Sequence, residues 1–313
     1  MIIPSIDMGG TKTMAGLVDG TGHIVYQERF ATDTTDFYKN LYRACDILKA
    51  AIATRRLTTE VMAGLGISLP GMVDTAGTQL VRAVYPGWSN IPVPALVRDY
   101  MHVENVKIEN DVNACAIGEM VFGFKDTYRD FLWLTVSTGV GGALVSQGQL
   151  IHGHGGCAGE MGHVKVEYTQ PAPCPCGQSG CLEAHGSGKA LDRYIKETLQ
   201  TQPDFALDFK KNRLDINGAG CAALARLGNP YALDIFKKMG TYLGRGIAYA
   251  VNLLNPQAII VGGGVSASLD LLKPAMAHTL GQSANTALLP VDVVRTKLGY
   301  DAAFLGAAAL ILH

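Results

Sequence analysis

The chain has almost no excess of either charge, no apolar run long enough to span a bilayer, and no basic, apolar leader at its start. Its 26 Lys and Arg residues face 27 Asp and Glu, a formal net charge of -1 over 313 residues. That balance removes the electrostatic attraction that nucleic acid or an anionic membrane surface exerts on a basic protein. No stretch reaches the roughly 20 apolar residues of a transmembrane helix. Met1-Ile2-Ile3-Pro4-Ser5-Ile6-Asp7 lacks the n-region and long apolar segment of a signal peptide. No disordered linker interrupts the sequence, and the Walker A spacing G-x-x-x-x-G-K-S/T is absent. The cysteines number seven, an odd count, and three of them cluster, which favours a reducing compartment over a disulfide framework. The expectation is a cytoplasmic protein with neither membrane nor nucleic-acid partners, its scattered Cys45, Cys115, Cys157 and Cys221 being buried free thiols.

What the chain does have is apolar residues and glycine. It is 48% hydrophobic and 17% charged, enough to bury a sizeable core in two domains or one large one. The 37 glycines sit in short clusters, as tight turns and close backbone approaches require. Residues 2–6, 13–18 and 23–30 read as three strands joined by glycine turns, a β-meander. Residues 36–56 have helical apolar spacing. Residues 61–68 form a buried strand ending at Leu69-Pro70-Gly71, and residues 106–109 another ending at Asn110-Asp111, with a helix over 114–122. The opening pattern then recurs: a strand over 131–137, the glycine turn Thr138-Gly139-Val140-Gly141-Gly142, a strand over 143–146, a turn, and a third strand from Leu150. Two such copies predict a duplicated α/β architecture with a cleft between its halves. The division is expected at 1–115 plus 301–313 for one domain and 116–300 for the other. Helices are expected over 191–199, 219–227, 230–254 and 302–312, a short buried strand over 258–261, and an irregular excursion over 200–217.

Five segments carry the chemistry. Asp7-Met8-Gly9-Gly10-Thr11-Lys12 follows a buried strand and offers backbone N–H groups, a hydroxyl and a cation to an anion, with Asp7 able to hold Mg²⁺ through water. An ordinary hairpin turn explains the same residues equally well. Thr138, Gly139 and Gly141 repeat the design in the second half, which strengthens the case for a nucleotide whose phosphates lie between domains. Gly262-Gly263-Gly264 is a third strand-end cluster suited to a nucleoside, or to a plain strand-to-helix turn. Asp111 stands between a strand and a helix, placed either to accept a proton from a hydroxyl attacking a phosphoryl group or, like Asn110, to cap the helix. The strongest local signal is Cys174-Pro175-Cys176-Gly177-Gln178-Ser179-Gly180-Cys181. Three thiols and a histidine complete a tetrahedral zinc site, with His163, His152, His154 and His185 as candidates for the fourth ligand. A site with four protein ligands has no open position, so the metal is structural, and Glu160 and Glu183 are polar groups it would hold rigid at a substrate pocket.

These segments together resemble the ROK family of bacterial sugar kinases, repressors and open reading frames. The resemblance rests on Asp7 to Lys12, Leu69-Pro70-Gly71, Glu109-Asn110-Asp111-Val112-Asn113-Ala114, Ser137 to Gly142, Gly159-Glu160-Met161-Gly162-His163, Cys174 to Glu183, and Gly262 to Gly264. It runs from near residue 1 to the final helix. Ala143 departs from it, standing where many members have a further glycine.

The resemblance implies an actin-like, ribonuclease-H-like two-domain kinase that uses ATP and Mg²⁺ to phosphorylate a hexose hydroxyl. O6 of a glucose-like sugar is favoured. N-acetylmannosamine, N-acetylglucosamine, allose and fructose are the alternative substrates, and a non-catalytic sugar-sensing regulator is the alternative class. It implies Asp111 as general base. Sugar contacts fall to Gly71, Asn110, Glu160, His163 and Glu183, and ATP contacts to Gly9, Gly10, Thr11, Lys12, Thr138, Gly139, Gly141 and the Gly262 to Gly264 cluster. It implies His163 as the fourth zinc ligand, one ring nitrogen on the metal and the other on the sugar. Homodimers or homotetramers are common in the family. Asp7 on the first strand leaves no room for the repressors' helix-turn-helix domain, which points to the kinase branch. Glu160 leans towards a glucose-like substrate, since some N-acetylmannosamine kinases of the family lack it.

Overall fold

A computed structural model describes residues 1–57 and 63–313. In chain order its strands are β1 (Ile2–Met8), β2 (Lys12–Asp19), β3 (Ile24–Ala31), β4 (Leu65–Leu69), β5 (Met72–Val73), β6 (Leu80–Arg82), β7 (Ser89–Ile91), β8 (Val106–Asn110), β9 (Phe131–Val136), β10 (Val140–Ser146), β11 (Gln149–Leu150), β12 (Ala258–Gly262) and β13 (Asp292–Arg295). The α-helices are α1 (Phe37–Thr54), α2 (Val93–Met101), α3 (Asp111–Gly118), α4 (Leu182–Gly186), α5 (Gly188–Thr201), α6 (Pro203–Lys211), α7 (Gly218–Arg226), α8 (Pro230–Leu254), α9 (Leu269–Ser283) and α10 (Ala302–Ala309). The strand expected over 61–68 is observed as β4 and begins only at Leu65; Val61 and Met62 of the expected span lie outside the described residues. Among the described residues no helix is long and apolar enough to cross a membrane.

The chain divides into two compact units. The first is Met1–Arg129, Gln147–Ala158 and Lys297–His313; the second is Asp130–Ser146 and Gly159–Thr296. This differs from the division drawn from the sequence in giving residues 116–129, 147–158 and 297–300 to the first unit. A shared apolar cluster accounts for the first two: Ile117, Met120, Val121, Phe122 and Leu150 pack with Ala309 and Leu310 of the first unit's last segment.

In the first unit the sheet order is β3-β2-β1-β4-β8. The pairs β1/β2 and β2/β3 are antiparallel, and β1/β4 and β4/β8 parallel. Strand periodicity sends alternate side chains to opposite faces, and both faces are covered. Ile6, Met8, Ala15 and Leu17 join Leu41, Leu48 and Trp88 on one side. Ile3, Met14 and Val18 join Phe304, Leu305 and Ala308 on the other. Asp36 starts α1 by accepting the Lys39 N–H at 3.0 Å, which satisfies one orphan donor of the first turn. On the opposite face α10 lies almost in contact with strand backbone: a Cβ on Gly66 would sit 1.8 Å from the Ala307 carbonyl oxygen. Ser5 Oγ donates to the Phe304 carbonyl at 2.7 Å across the same seam. A small antiparallel sheet, β5-β6-β7, follows β4.

In the second unit β10, β9, β12 and β13 stand side by side in that order. The pair β9/β10 is antiparallel, and β9/β12 and β12/β13 are parallel. This is the pattern of β2-β1-β4-β8, the duplication expected from the sequence. Leu132, Leu134, Val136, Ile259 and Val261 pack against Phe236, Met239, Leu243 and Ile247 of α8 and against α5, α6, α7 and α9.

Several local expectations are corrected. Residues 200–217 are mostly helical: Pro203 opens α6, and only Phe205 and Phe209, four residues apart, are buried along it. Two anchors on a polar segment give too faint a period to read. The third strand from Leu150 is only two residues long. The closing helix ends at Ala309. The helix expected over 114–122 begins at Asp111, because Asn110 caps it, and from Glu119 to Gly123 it becomes a π-turn. Of the four scattered cysteines, Cys45 and Cys221 are buried as expected, whereas Cys115 and Cys157 are half-buried.

Candidate functional site

In the first unit, parallel register decides what stands together. Asp7 is level with Ser68 across β1/β4, and Ser68 and Leu69 are level with Glu109 and Asn110 across β4/β8. The carboxyl ends of three adjacent parallel strands therefore present Asp7, Ser68 and the Glu109-Asn110-Asp111 junction along one edge, the edge where open α/β sheets bind ligands. Ser68 Oγ donates a hydrogen bond to Asp7 Oδ1. Burial pushes the Asp7 carboxyl up to about 6, against the pull of the Ser68 hydrogen bond and the Arg29 charge. Asp111 is likewise pushed up to about 6, first by burial and then by the negative charge of Asp7. Its Oδ1 accepts from the Val112 N–H at 3.0 Å and from Asn110 Nδ2 at 3.1 Å.

Asn110 is engaged on both sides of its amide. Its Oδ1 accepts from Val112 N at 2.9 Å and Asn113 N at 3.2 Å. Its Nδ2 donates to the Gly71 carbonyl at 3.0 Å as well as to Asp111. Capping and a polar role at the strand edge thus coexist in one side chain. Gly71 is extended at φ +156°, a conformation that favours glycine, and a Cβ there would come 2.5 Å from the Arg82 carbonyl oxygen. Two further groups flank this junction: Glu109, to which the sequence assigns no role, and His152, which it offers only as a candidate zinc ligand. Glu109 is buried, and its Oε2 lies 2.7 Å from His152 Nε2. That hydrogen bond holds the His152 imidazolium above its ordinary range. No spacing rule links residues 109 and 152, whereas Ser68 was detectable in principle from strand-end alignment.

The two glycine turns are shorter than the sequence implied. Lys12 already belongs to β2, and Gly141 and Gly142 to β10. The Gly9 N–H closes the first hairpin on the Lys12 carbonyl at 2.9 Å, so the turn proper is Gly9-Gly10-Thr11. The Tyr85 hydroxyl fills the space beside Gly10, 2.0 Å from where a Cβ would be. In the second unit the Val140 N–H donates to Glu183 Oε2 at 3.1 Å, tying that carboxylate to the Thr138-Gly139 turn. The turn also meets the start of α5, where the Gly188 N–H donates to the Ser137 carbonyl at 2.7 Å. Gly262 ends β12 against Trp133, and Gly263 at φ +80° lies against the Val136 carbonyl. Packing alone requires glycine at both positions, and Gly264 then opens a short 3-10 turn.

Also in the second unit, one ligand atom from each of His163, Cys174, Cys176 and Cys181 lies within 4.8 Å of every other. His163 Nδ1 is 3.7 Å from Cys174 Sγ, and Cys176 Sγ is 3.8 Å from Cys181 Sγ. Tetrahedral zinc with bonds of about 2.3 Å to sulfur requires edges of about 3.8 Å, so the four donors fit that ion. Two of the other candidate histidines have other partners: His152 is on Glu109, and His185 Nε2 accepts the Ala172 N–H at 3.1 Å. With Nδ1 turned to the thiols, His163 Nε2 points towards Glu160, 3.7 Å from its Oε2. Glu160 itself is exposed, at 68% of its side chain.

Comparison with known proteins gives one consistent answer. Residues 3–313 match the profile of the ROK family. A glucokinase of Streptomyces coelicolor is 33% identical over 247 residues, covering 78% of this chain and 75% of that one. A xylose repressor of Bacillus spizizenii is 29% identical over 244 residues, 77% of this chain and 59% of the repressor. Among solved structures, a ROK family glucokinase from Streptomyces griseus in complex with glucose and AMPPNP superposes with a TM-score of 0.79 at 31% identity, covering 99% of each chain.

Proposed function

The chain belongs to the ROK family and is a sugar kinase, and we propose that it transfers the terminal phosphoryl group of ATP to O6 of a glucose-like hexose with Asp111 as the general base. The observation that carries this reading is the state of Asp111. It stands at the carboxyl edge of the parallel strands, and burial with the neighbouring Asp7 charge brings its pKa to about 6. A base of that strength is ionised at neutral pH yet basic enough to draw a proton from a hydroxyl in the transition state. Asp111 takes the O6 proton as that oxygen attacks the γ-phosphorus; the bond to the β-phosphoryl oxygen breaks, ADP leaves, and the proton passes to water.

The supporting contacts are proposed residue by residue. Gly71, Asn110 and Asp111 of the first unit, and Glu160, His163 and Glu183 of the second, are the proposed sugar contacts. Gly9, Gly10, Thr11 and Lys12, with Thr138, Gly139 and Gly141, are proposed for the phosphates, and Gly262, Gly263 and Gly264 for the adenosine side. Asp7 is the proposed holder of Mg²⁺, since a half-buried carboxyl pushed up to about 6 by desolvation is one that a cation returns to its ionised form. Mg²⁺ bound with ATP would neutralise charge on the phosphoryl oxygens. The Cys174, Cys176, Cys181 and His163 set would hold a structural zinc, fixing the His163 tautomer so that Nε2 serves the sugar.

Glucose and AMPPNP are the ligands of the Streptomyces griseus relative, and their transfer to this chain is part of the proposal. The xylose repressor relative supports the second reading, a regulator that binds sugar without phosphorylating it. ADP release with Mg-ATP across hexoses and N-acetylhexosamines, for wild type and Asp111→Asn, separates the two. Turnover in wild type that is lost in the variant supports the kinase with Asp111 as base. Sugar binding by both proteins with ATP consumed by neither leaves the regulator.

A further inference from the structure

The inference rests on the kinase reading and deepens it: we propose that His152 and Glu109 form a positioning pair that sets the Asn110-Asp111 junction for the sugar hydroxyl. Glu109 is only 7% exposed, yet both its oxygens are engaged. Its Oε1 accepts the Asn110 backbone N–H at 2.8 Å and Asn113 Nδ2 at 3.0 Å. Its Oε2 meets His152 Nε2 at 2.7 Å. Two of these three donors belong to the β8–α3 junction itself; His152 alone among them comes from another stretch of chain.

That stretch is braced on its own account. The Ala158 N–H donates to the His152 carbonyl at 3.0 Å. Gly156 lies so close to β5 that a Cβ would be 2.6 Å from the Val73 carbonyl oxygen. A backbone held in this way keeps the ring within reach of the carboxylate. The linkage then runs from His152 to Glu109, from Glu109 to the Asn110 backbone, and from the Asn110 amide to both Asp111 Oδ1 and the Gly71 carbonyl. Without His152, a buried carboxylate oxygen loses its charge-assisted donor, an expensive state for the fold. The carboxylate rotates or takes a proton, and its hold on the Asn110 N–H weakens. No hydrogen bond of the pair runs to Gly9, Gly10, Thr11 or Lys12, so the nucleotide side is predicted to be spared.

His152→Leu fills the space of the ring without a donor, and His152→Gln restores an N–H. Both are compared with wild type for sugar kcat and KM, for ATP KM, for sugar Kd by titration calorimetry, and for folded fraction by circular dichroism. In His152→Leu the sugar kcat/KM is expected to fall by about 10- to 100-fold, the scale for a misplaced reacting group. Sugar Kd weakens, ATP KM is unchanged, and Gln recovers most of the loss. The proposal is overturned if Leu matches wild type, if Gln does no better than Leu, or if the loss follows the folded fraction at constant sugar KM. A wild type that binds sugar but spends no ATP ends the kinase reading alone. The variants' sugar Kd values then decide the pair, and equal values overturn it. A wild type that binds no hexose ends both.

Discussion

Asp111→Asn should make this protein more stable while disabling it. Burial and the Asp7 charge raise the Asp111 carboxyl from 3.8 to about 6, so the folded state favours the protonated form. The unfolded chain releases that proton near pH 3.8 and the folded chain only near 6. Stability therefore falls as pH rises through this window, and the full cost applies above it. At 1.36 kcal/mol per pH unit the cost is about 3 kcal/mol at pH 7.5. Asparagine keeps the shape and accepts the same Val112 and Asn110 hydrogen bonds without carrying charge. Urea unfolding followed by far-ultraviolet circular dichroism, with no sugar, nucleotide or Mg²⁺ present, measures the difference. Asp111→Asn is expected to exceed wild type by about 3 kcal/mol at pH 7.5 and to converge with it by about pH 4. Turnover of the same variant should drop by about 10²- to 10⁴-fold. A variant no more stable than wild type at pH 7.5, or a gain that does not change with pH, would refute the claim that the site desolvates its base.

Three further outcomes are expected. Because the Asp7 charge is the second cause of the Asp111 shift, Asp7→Asn should move the acid limb of the sugar kcat/KM profile to lower pH; a limb that stays in place contradicts the coupling. Elemental analysis should find about one zinc per chain, and Cys176→Ser should lose it along with about 10- to 100-fold of sugar kcat/KM; a metal-free, fully active enzyme would reject the bracing role. Gly66→Ala should destabilise the first unit by about 1–3 kcal/mol through overpacking against the Ala307 carbonyl, read as a lower urea midpoint, and an unchanged midpoint would mean that α10 yields readily.

The parts of the fold that were legible in the sequence are those written in local chemistry. Glycine turns between apolar runs marked the opening meander, and the cysteine spacing marked the Cys/His cluster able to hold a metal, because one short loop supplies three of its four candidate ligands. The helix α6 was missed since its burial rests on Phe205 and Phe209 alone. The site's electrostatics were illegible for another reason. The pairing of Asp7 with Ser68, and of Glu109 with His152, is a product of strand register and of a chain that returns some forty residues later. Asn110 shows how far a motif can be read: both the cap and the strand-edge polar group were foreseen, but only the packed structure reveals one amide serving both.

Helix α10 follows the whole of the second unit in the chain, yet Phe304, Leu305 and Ala308 fill one face of the sheet that β1 and β2 begin. On the ribosome, the strand carrying Asp7 emerges first and the helix that covers it emerges after all of the second unit. Until then one face of that sheet stays open to water, with Ile3, Met14 and Val18 uncovered. The second unit has its residues in hand by Thr296 and can fold first, as an insertion in an unfinished host. A nascent chain halted before α10 would therefore carry a formed cysteine loop while the sheet edge bearing Asp7 and Asp111 still lacked its support.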